Sequence, residues 1–291
     1  FNDISGSTSF HQSDFNASNG STNIAAVWVD LNVAPNGEDF RASWRASLND
    51  IVLSSTSQTR DGVSLQDFEK AISLGMNSAM TYSHGRGQAE FRYFGEDGDV
   101  VISSSSVGGR ISADLSKLGI NFLSEMAGRD VSVMGSLVPM PFNASLGVLA
   151  YGMSLPMVAS EEEQRIGLRI ELEDLSLSDN VWDMFDPLKV FDRDAVTIKF
   201  DVSGVMRLLT DYTSFYVENA DDIGALQEAA EMRSLKIKSL MLSALGASAQ
   251  VEGEFTFDSS NYHIFDGIPR PEGSVRLTMK GVNSLLDKLS N

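Results

Sequence analysis

One unit of alternating residues, glycine and a short apolar repeat occurs twice in the second half of the chain. Ile198, Phe200 and Val202 alternate with Thr197, Lys199, Asp201 and Ser203, and Gly204 then precedes Val205, Leu208 and Leu209. Val275, Leu277 and Met279 alternate with Ser274, Arg276, Thr278 and Lys280, and Gly281 precedes Val282, Leu285 and Leu286. Successive side chains of a strand point to opposite faces, so each alternating run predicts a strand with one apolar and one wet face. The spacings of three and four after each glycine predict a short helix with one apolar side. A chain written this way folds into a sheet that is greasy on one side and punctuated by short helices. Such a pattern describes a scaffold or a groove and names no reaction.

Composition sets the outer limits. A chain of 291 residues is long enough to bury a sizeable core. Hydrophobic residues make up 42% and charged residues 21%, which is ordinary globular usage and argues against disorder. Asp and Glu number 40 against 22 Lys and Arg, for a formal net charge of −18. That balance disfavours nucleic acid and anionic lipid headgroups as partners of the surface as a whole, and leaves room for an apolar ligand in an uncharged groove. The densest acidic run, Glu161-Glu162-Glu163, reads as a solvated loop. The absence of cysteine excludes disulfides, thiol catalysis and Cys-ligated zinc. There is no apolar run of the ~18 residues a transmembrane helix needs. The chain opens on Phe1-Asn2-Asp3 and closes inside an amphipathic pattern, so the natural protein is expected to extend beyond both ends, with a signal peptide preceding it.

Along the chain, residues 5–22 are rich in Ser, Asn and Gly and read as loose strand and turn, or as a frayed start. Strands are predicted over 24–33, 40–48 and 51–57, with Pro35-Asn36-Gly37 and Asn49-Asp50 as the turns between them. Ser64-Leu65-Gln66-Asp67 resembles a capping box, and Leu65, Phe68, Ile72 and Met76 then line one helix face. Short strands resume over 89–133, with turns at 95–99 and at Gly108-Gly109. Pro139-Met140-Pro141 breaks regularity, and strands follow over 145–153 and 166–177. Ser178 caps a short helix carrying Val181, Trp182 and Phe185, which Pro187 ends. A helix over 220–232 and a strand pair, 235–242 and 249–257, bent around Gly246, precede the second copy of the unit. The sum is a mainly β (α+β) chain. It forms a large curved antiparallel sheet or half-barrel of roughly a dozen strands with four or five short helices. It is organised as one elongated domain, or as two lobes over 1–138 and 139–291.

No catalytic signature emerges. His11, His84 and His263 sit in no recognisable setting, and no G-x-S-x-G elbow is present. Gly85-Arg86-Gly87 lacks the residues of a phosphate loop, and Asp97-Gly98-Asp99 and Asp192-Arg193-Asp194 match no calcium loop. No metal or cofactor is therefore expected, and no acid pair can be singled out among 40 acids. Trp182, Met184 and Phe185 have two readings, as packing of helix on sheet or as a lid over an apolar cavity. Phe255, Phe257 and Phe265 divide the same way, and Phe265 joins the candidate lid or groove residues. Twelve methionines suit an adaptable apolar lining and equally fill core gaps.

Several motifs together resemble one family. They are Pro141-Phe142, Tyr151-Gly152-Met153-Ser154-Leu155-Pro156, Ala159-Ser160-Glu161-Glu162 and Trp182-Asp183-Met184-Phe185-Asp186-Pro187. Arg193-Asp194-Ala195, Phe255-Thr256-Phe257-Asp258 and Phe265-Asp266-Gly267-Ile268-Pro269-Arg270-Pro271-Glu272-Gly273 complete the set. From about 139 to 288 the chain resembles the bacterial domain of unknown function 2125 family, found mainly in alphaproteobacteria. The resemblance implies an exported, periplasmic or envelope protein and supplies no catalytic residues. Its members usually continue past this C-terminus, and they tend to carry Pro on either side of Arg-Asp where this chain has Phe191-Asp192-Arg193-Asp194-Ala195. The strand, glycine and helix unit is also similar to AsmA-like envelope proteins, whose long sheets shield lipid tails on a greasy face, an analogy of fold alone.

Two expectations of different class follow. One is a non-enzymatic periplasmic protein that binds lipid or another apolar ligand in a sheet-lined groove, which requires an open apolar face. The other is a structural or accessory subunit that docks on a larger envelope complex, its apolar face filled by its own helices and an edge or patch left for the partner.

Overall fold

The computed structural model describes residues 2–12, 15–33, 40–60, 62–63, 68–211, 229–258 and 269–290. Strands β1 (Asn2–Gln12), β2 (Phe15–Val33) and β3 (Arg41–Arg60) lead to helix α1 (Phe68–Ser73). β4 (Asn77–His84), β5 (Gly87–Gly95), β6 (Gly98–Ser116), β7 (Gly119–Met134), β8 (Phe142–Leu155) and β9 (Gln164–Leu177) follow. Helix α2 (Asp179–Phe185) stands between β9 and β10 (Val196–Leu208). β11 (Ala230–Ala244), β12 (Ala247–Asp258), β13 (Arg270–Lys280) and helix α3 (Val282–Leu289) complete the order.

All thirteen strands belong to one antiparallel sheet whose spatial order is the order of the sequence. β4 and β5 lie end to end in a single lane between β3 and β6. Short hairpin connections can join only antiparallel neighbours, so a run of strands without crossover helices has this meander as its simplest solution. At ~4.8 Å per lane the sheet is about 50 Å wide.

The sheet is a single layer. Among the described residues few apolar side chains are buried, namely Ala71, Ile72, Met76, Ala150, Pro156, Met157, Leu208 and Ala229. The accessible surface is 18506 Å², against roughly 12,000 Å² for a compact monomer of this mass. No second layer closes on either face among the described residues. α1 buries Ile72, with Met76 just beyond its end, whereas α2 and α3 bury no residue.

Several local expectations are corrected. Asn49-Asp50 is not a turn, because β3 runs through it with Asp50 in the left-handed region. Gly108-Gly109 lies inside β6, paired to Ala127 and Met126. Residues 89–133 lie in β5, β6 and β7, the last two long, and residues 5–12 and 15–22 are paired strand, with Ile4 opposite Ile24. The first copy of the repeated unit makes no helix: β10 continues through Gly204 to Leu208, held by Ile166 on one side and Leu235 on the other. Only the second copy turns, at Gly281 with φ 69°, into α3. Three helices are therefore present among the described residues, where four or five were expected. Of the helix expected over 220–232, residues 220–228 lie outside the described residues, while Ala230 opens β11. Pro35-Asn36-Gly37 and the capping box at 64–67 also lie outside them. Ser178 does sit at the N-cap of α2, but its hydroxyl accepts from the Asn143 N–H at 3.2 Å rather than from the helix.

Candidate ligand-binding face

Residues directly opposite each other on paired strands share a face of the sheet. One row therefore runs Ser124, Tyr151, Ile170, Phe200, Leu240, Val251, Leu277 from β7 to β13. A second runs Met126, Leu149, Leu172, Ile198, Leu242, Ala249, Met279, and a third runs Phe122, Met153, Leu168, Val202, Ile237. Towards the N-terminus the first row continues as Ile111, Tyr82 and Leu53. The phenyl ring of Phe122 lies 5.9 Å from that of Tyr151. Among the described residues these side chains are covered only by their neighbours in the sheet, and Leu242, Leu277 and Met279 are 54–56% exposed.

A strict alternation would send this face to the other side farther along each strand, because β7, β8 and β9 carry their apolar residues in opposite phase at their two ends. The chain corrects the phase on a line across the sheet. Along that line the apolar positions are three apart: Ile24 and Val27, Leu48 and Ile51, Leu146 and Leu149, Leu172 and Leu175. Asp50, Gly128 and Asp174, with φ of 52°, 51° and 56°, lie on this line. A left-handed residue rotates the pleat, so the face is kept where period two alone would lose it. Asp tolerates that conformation better than most residues, and Gly has no Cβ to oppose it. Arg129 Nη1 reaches Met126 Sδ at 3.3 Å, a contact between residues three apart that strict alternation would place on opposite faces. Beyond the line the face continues as Trp44, Phe91, Ile102, Val133 and Phe142.

The two faces differ in charge. Among the described residues that the register places on the apolar face of β2 to β13, there is no Asp, Glu or Lys, and the basic side chains are His84 and Arg129. The opposite face carries ion pairs. Arg169 binds Glu125 at 3.1 Å and Glu171 at 2.8 Å, Lys199 binds Glu173 at 2.7 Å, Lys238 binds Asp201 at 3.2 Å, and Lys236 pairs with Glu254. The hydrogen bond from Arg169 holds the Glu171 carboxyl below the usual range despite its burial, and Arg92 does the same for Glu90.

Two recesses are relevant. One of about 320 Å³ lies on the apolar face beside the phase line, lined by Val27, Leu48, His84, Ser106, Met126 and Arg129. The other, about 790 Å³, is an open trough on the polar face among Ser47, Ser103, Ser105, Ser132, Asn143 and Ser145. Its hydroxyls face water, as on any solvated sheet.

Of the expected lid or groove residues, Trp182, Met184 and Phe185 lie on α2. α2 lies at the end of β9, beside the start of β8, where the Ser178 N–H donates to Asn143 O at 2.8 Å. Trp182 is half-buried, while Met184 and Phe185 are 64% and 75% exposed, so neither packs on the sheet. Phe265 lies outside the described residues. Arg193 fastens α2 to the following loop through Asp179 at 2.7 Å and Asp183 at 2.5 Å. Burial opposes ionisation of Asp186, but the N–H groups of Val190 and Phe191, each at 2.9 Å, keep its carboxyl below the ordinary range. The residues that form the face, such as Tyr151, Ile170 and Phe200, and Arg129 within it, were not singled out by sequence reasoning as a site. Their signal was the interval of three.

Among the described residues no three His, Asp or Glu side chains converge as a metal site would require, and no helix is long and apolar enough to cross a membrane. No family model matches the chain, no curated protein matches its sequence, and no solved structure matches its fold.

Proposed function

We propose that this protein is a non-enzymatic component of the bacterial envelope, acting in the periplasm, that holds lipid or another apolar ligand against the apolar face of its sheet. The observation that carries this reading is the uncovered face itself, which crosses the sheet from β2 to β13 without a carboxylate or lysine among the described residues. Exposed apolar patches on soluble monomers rarely exceed ~600 Å², and larger ones mark interaction sites. An acyl chain of about a dozen methylenes that buries half its surface gains ~5 kcal/mol before the cost of immobilisation. The resemblance carried by the motifs from Pro141 to Gly273 points to the same compartment.

Docking on a larger envelope complex is the second reading, favoured by Met184, Phe185 and Leu188, which stand in water at one end of the sheet. Native mass spectrometry of the purified protein, with organic extraction of bound material, separates the two. A discrete adduct that extracts as a lipid is the expected result. A bare mass at 31.6 kDa, or a stable complex with another protein, contradicts the carrier reading.

A further inference from the structure

We infer that the ligand of the apolar face is an anionic amphiphile, whose carboxylate or phosphate head is held by Arg129 in the recess on the phase line while its chain lies along the neighbouring apolar rows. This rests on the reading of the face as an apolar-ligand site and adds the chemistry of the head.

The apolar face departs from the charge balance of the chain. Acids outnumber bases 40 to 22 in the chain, yet the apolar face has no acid among its described residues and one arginine. Among the described residues Arg129 has no ion-pair partner, and its guanidinium makes a weak hydrogen bond to Met126 Sδ. Its neighbours in register are Ser106 and Leu146. Arg129 is exposed, so water satisfies its guanidinium in the free protein, and its planar fork of donors suits a carboxylate or a phosphate brought to the face.

The surroundings fit a head group and not a chain. The recess brings the hydroxyls of Ser104 and Ser106 and the His84 ring to the same side as Arg129. A Cβ on Gly87 would stand 2.9 Å from Ser106 Oγ and 3.0 Å from Leu48 Cδ1, so glycine keeps this pocket open. His84 Nδ1 is engaged with Gly85 O at 2.8 Å, which fixes the ring. The nearest acid in sequence, Asp130, points to the other face, where it accepts from the Ser105 hydroxyl at 3.2 Å. From the recess, Met126, Leu149, Leu172 and Ile198 lead away as an unbroken apolar row. The acidic balance of the chain repels anions at a distance, but no carboxylate among the described residues lines the recess.

Calorimetric titration of the full chain with dodecanoate, dodecyl phosphate, dodecanol and inorganic phosphate tests this, in the wild type and in R129Q and R129K. Both chain-bearing anions should bind about tenfold tighter than dodecanol, as expected of a charge-assisted pair, and inorganic phosphate alone should not bind. R129Q should remove that preference and leave dodecanol binding unchanged, while R129K should keep most of it. Equal binding of dodecanol and dodecanoate, or a preference that survives R129Q, would overturn the inference and leave the apolar face standing. Phosphate binding without a chain would overturn it in favour of a free-anion site. Failure of all three chain-bearing probes would overturn the reading of the face as well.

Discussion

The two faces of this sheet are made from the same strands and differ in almost everything else. On one, Tyr151, Ile170, Phe200 and Leu240 stand side by side with no described residue layered over them; on the other, Glu125, Arg169, Glu171 and Lys199 form ion pairs. Ordinarily an apolar sheet face is the half of a core that a second layer completes. Here the second layer is missing among the described residues, and the polar face is finished in the way of a solvent boundary. The difference teaches that one face is finished for water while the other is apolar and uncovered among the described residues.

The largest expected effect comes from merging the faces. Gly128→Val puts a β-branched side chain at φ 51°, where its Cβ would also stand 2.5 Å from Val107 Cγ2. The left-handed penalty alone is ~1–2 kcal/mol, and with the clash the loss should exceed ~2 kcal/mol, read as a lower urea midpoint. An unchanged midpoint would mean that the phase line is not under steric control.

Next in size is the effect on ligand. Ile170→Asp and Phe200→Asp together should cut lipid occupancy in native mass spectra about tenfold, with a stability loss of only ~1 kcal/mol per site because both side chains are already part-exposed. A loss of ~4 kcal/mol per site would show that the face is a filled core.

The polar face should respond less. The folded Glu171 carboxyl titrates below its ordinary value near 4.3, so its contribution is full above that pH and is lost as pH falls through the lowered folded value. Glu171→Gln should therefore cost at most ~1 kcal/mol at pH 7 and should flatten the decline of stability below about pH 4. A decline of equal steepness in the variant would remove Glu171 from the account. Smallest of all, Leu289→Ser on α3 should change stability by less than ~0.5 kcal/mol, since Leu289 is exposed in the folded chain. A larger loss would indicate that α3 is packed.

Much of the fold was legible because period two is a strong signal over long strands. The class, the antiparallel meander and most strand positions in the second half follow from it. The two copies of the repeated unit show where it fails. Their sequences promise the same helix, yet Val205 to Leu208 stay in β10, which pairs on both sides, while Val282 to Leu289 leave β13, which has a described neighbour on one side only. Ladder hydrogen bonds on two sides outweigh a short helical periodicity; on one side they do not. Asn49-Asp50 misled for a related reason, since turn chemistry and a left-handed residue within a strand use the same amino acids. The face was half visible. Its rows could be written from alternation, but the interval of three looks like a strand break until neighbouring strands are seen to share it. Which side would be covered was not legible at all, because cover is a property of layers and the strand pattern is the same with or without one.

Photocrosslinking tests the central claim most directly. A fatty acid carrying a diazirine at its tail is bound to the full chain, irradiated, and its adducts are placed by peptide mass spectrometry. Adducts on Tyr151, Ile170, Phe200 and their neighbours in the apolar rows are the predicted result. Adducts confined to the polar face or to α2, or none above an unbound control, would contradict it.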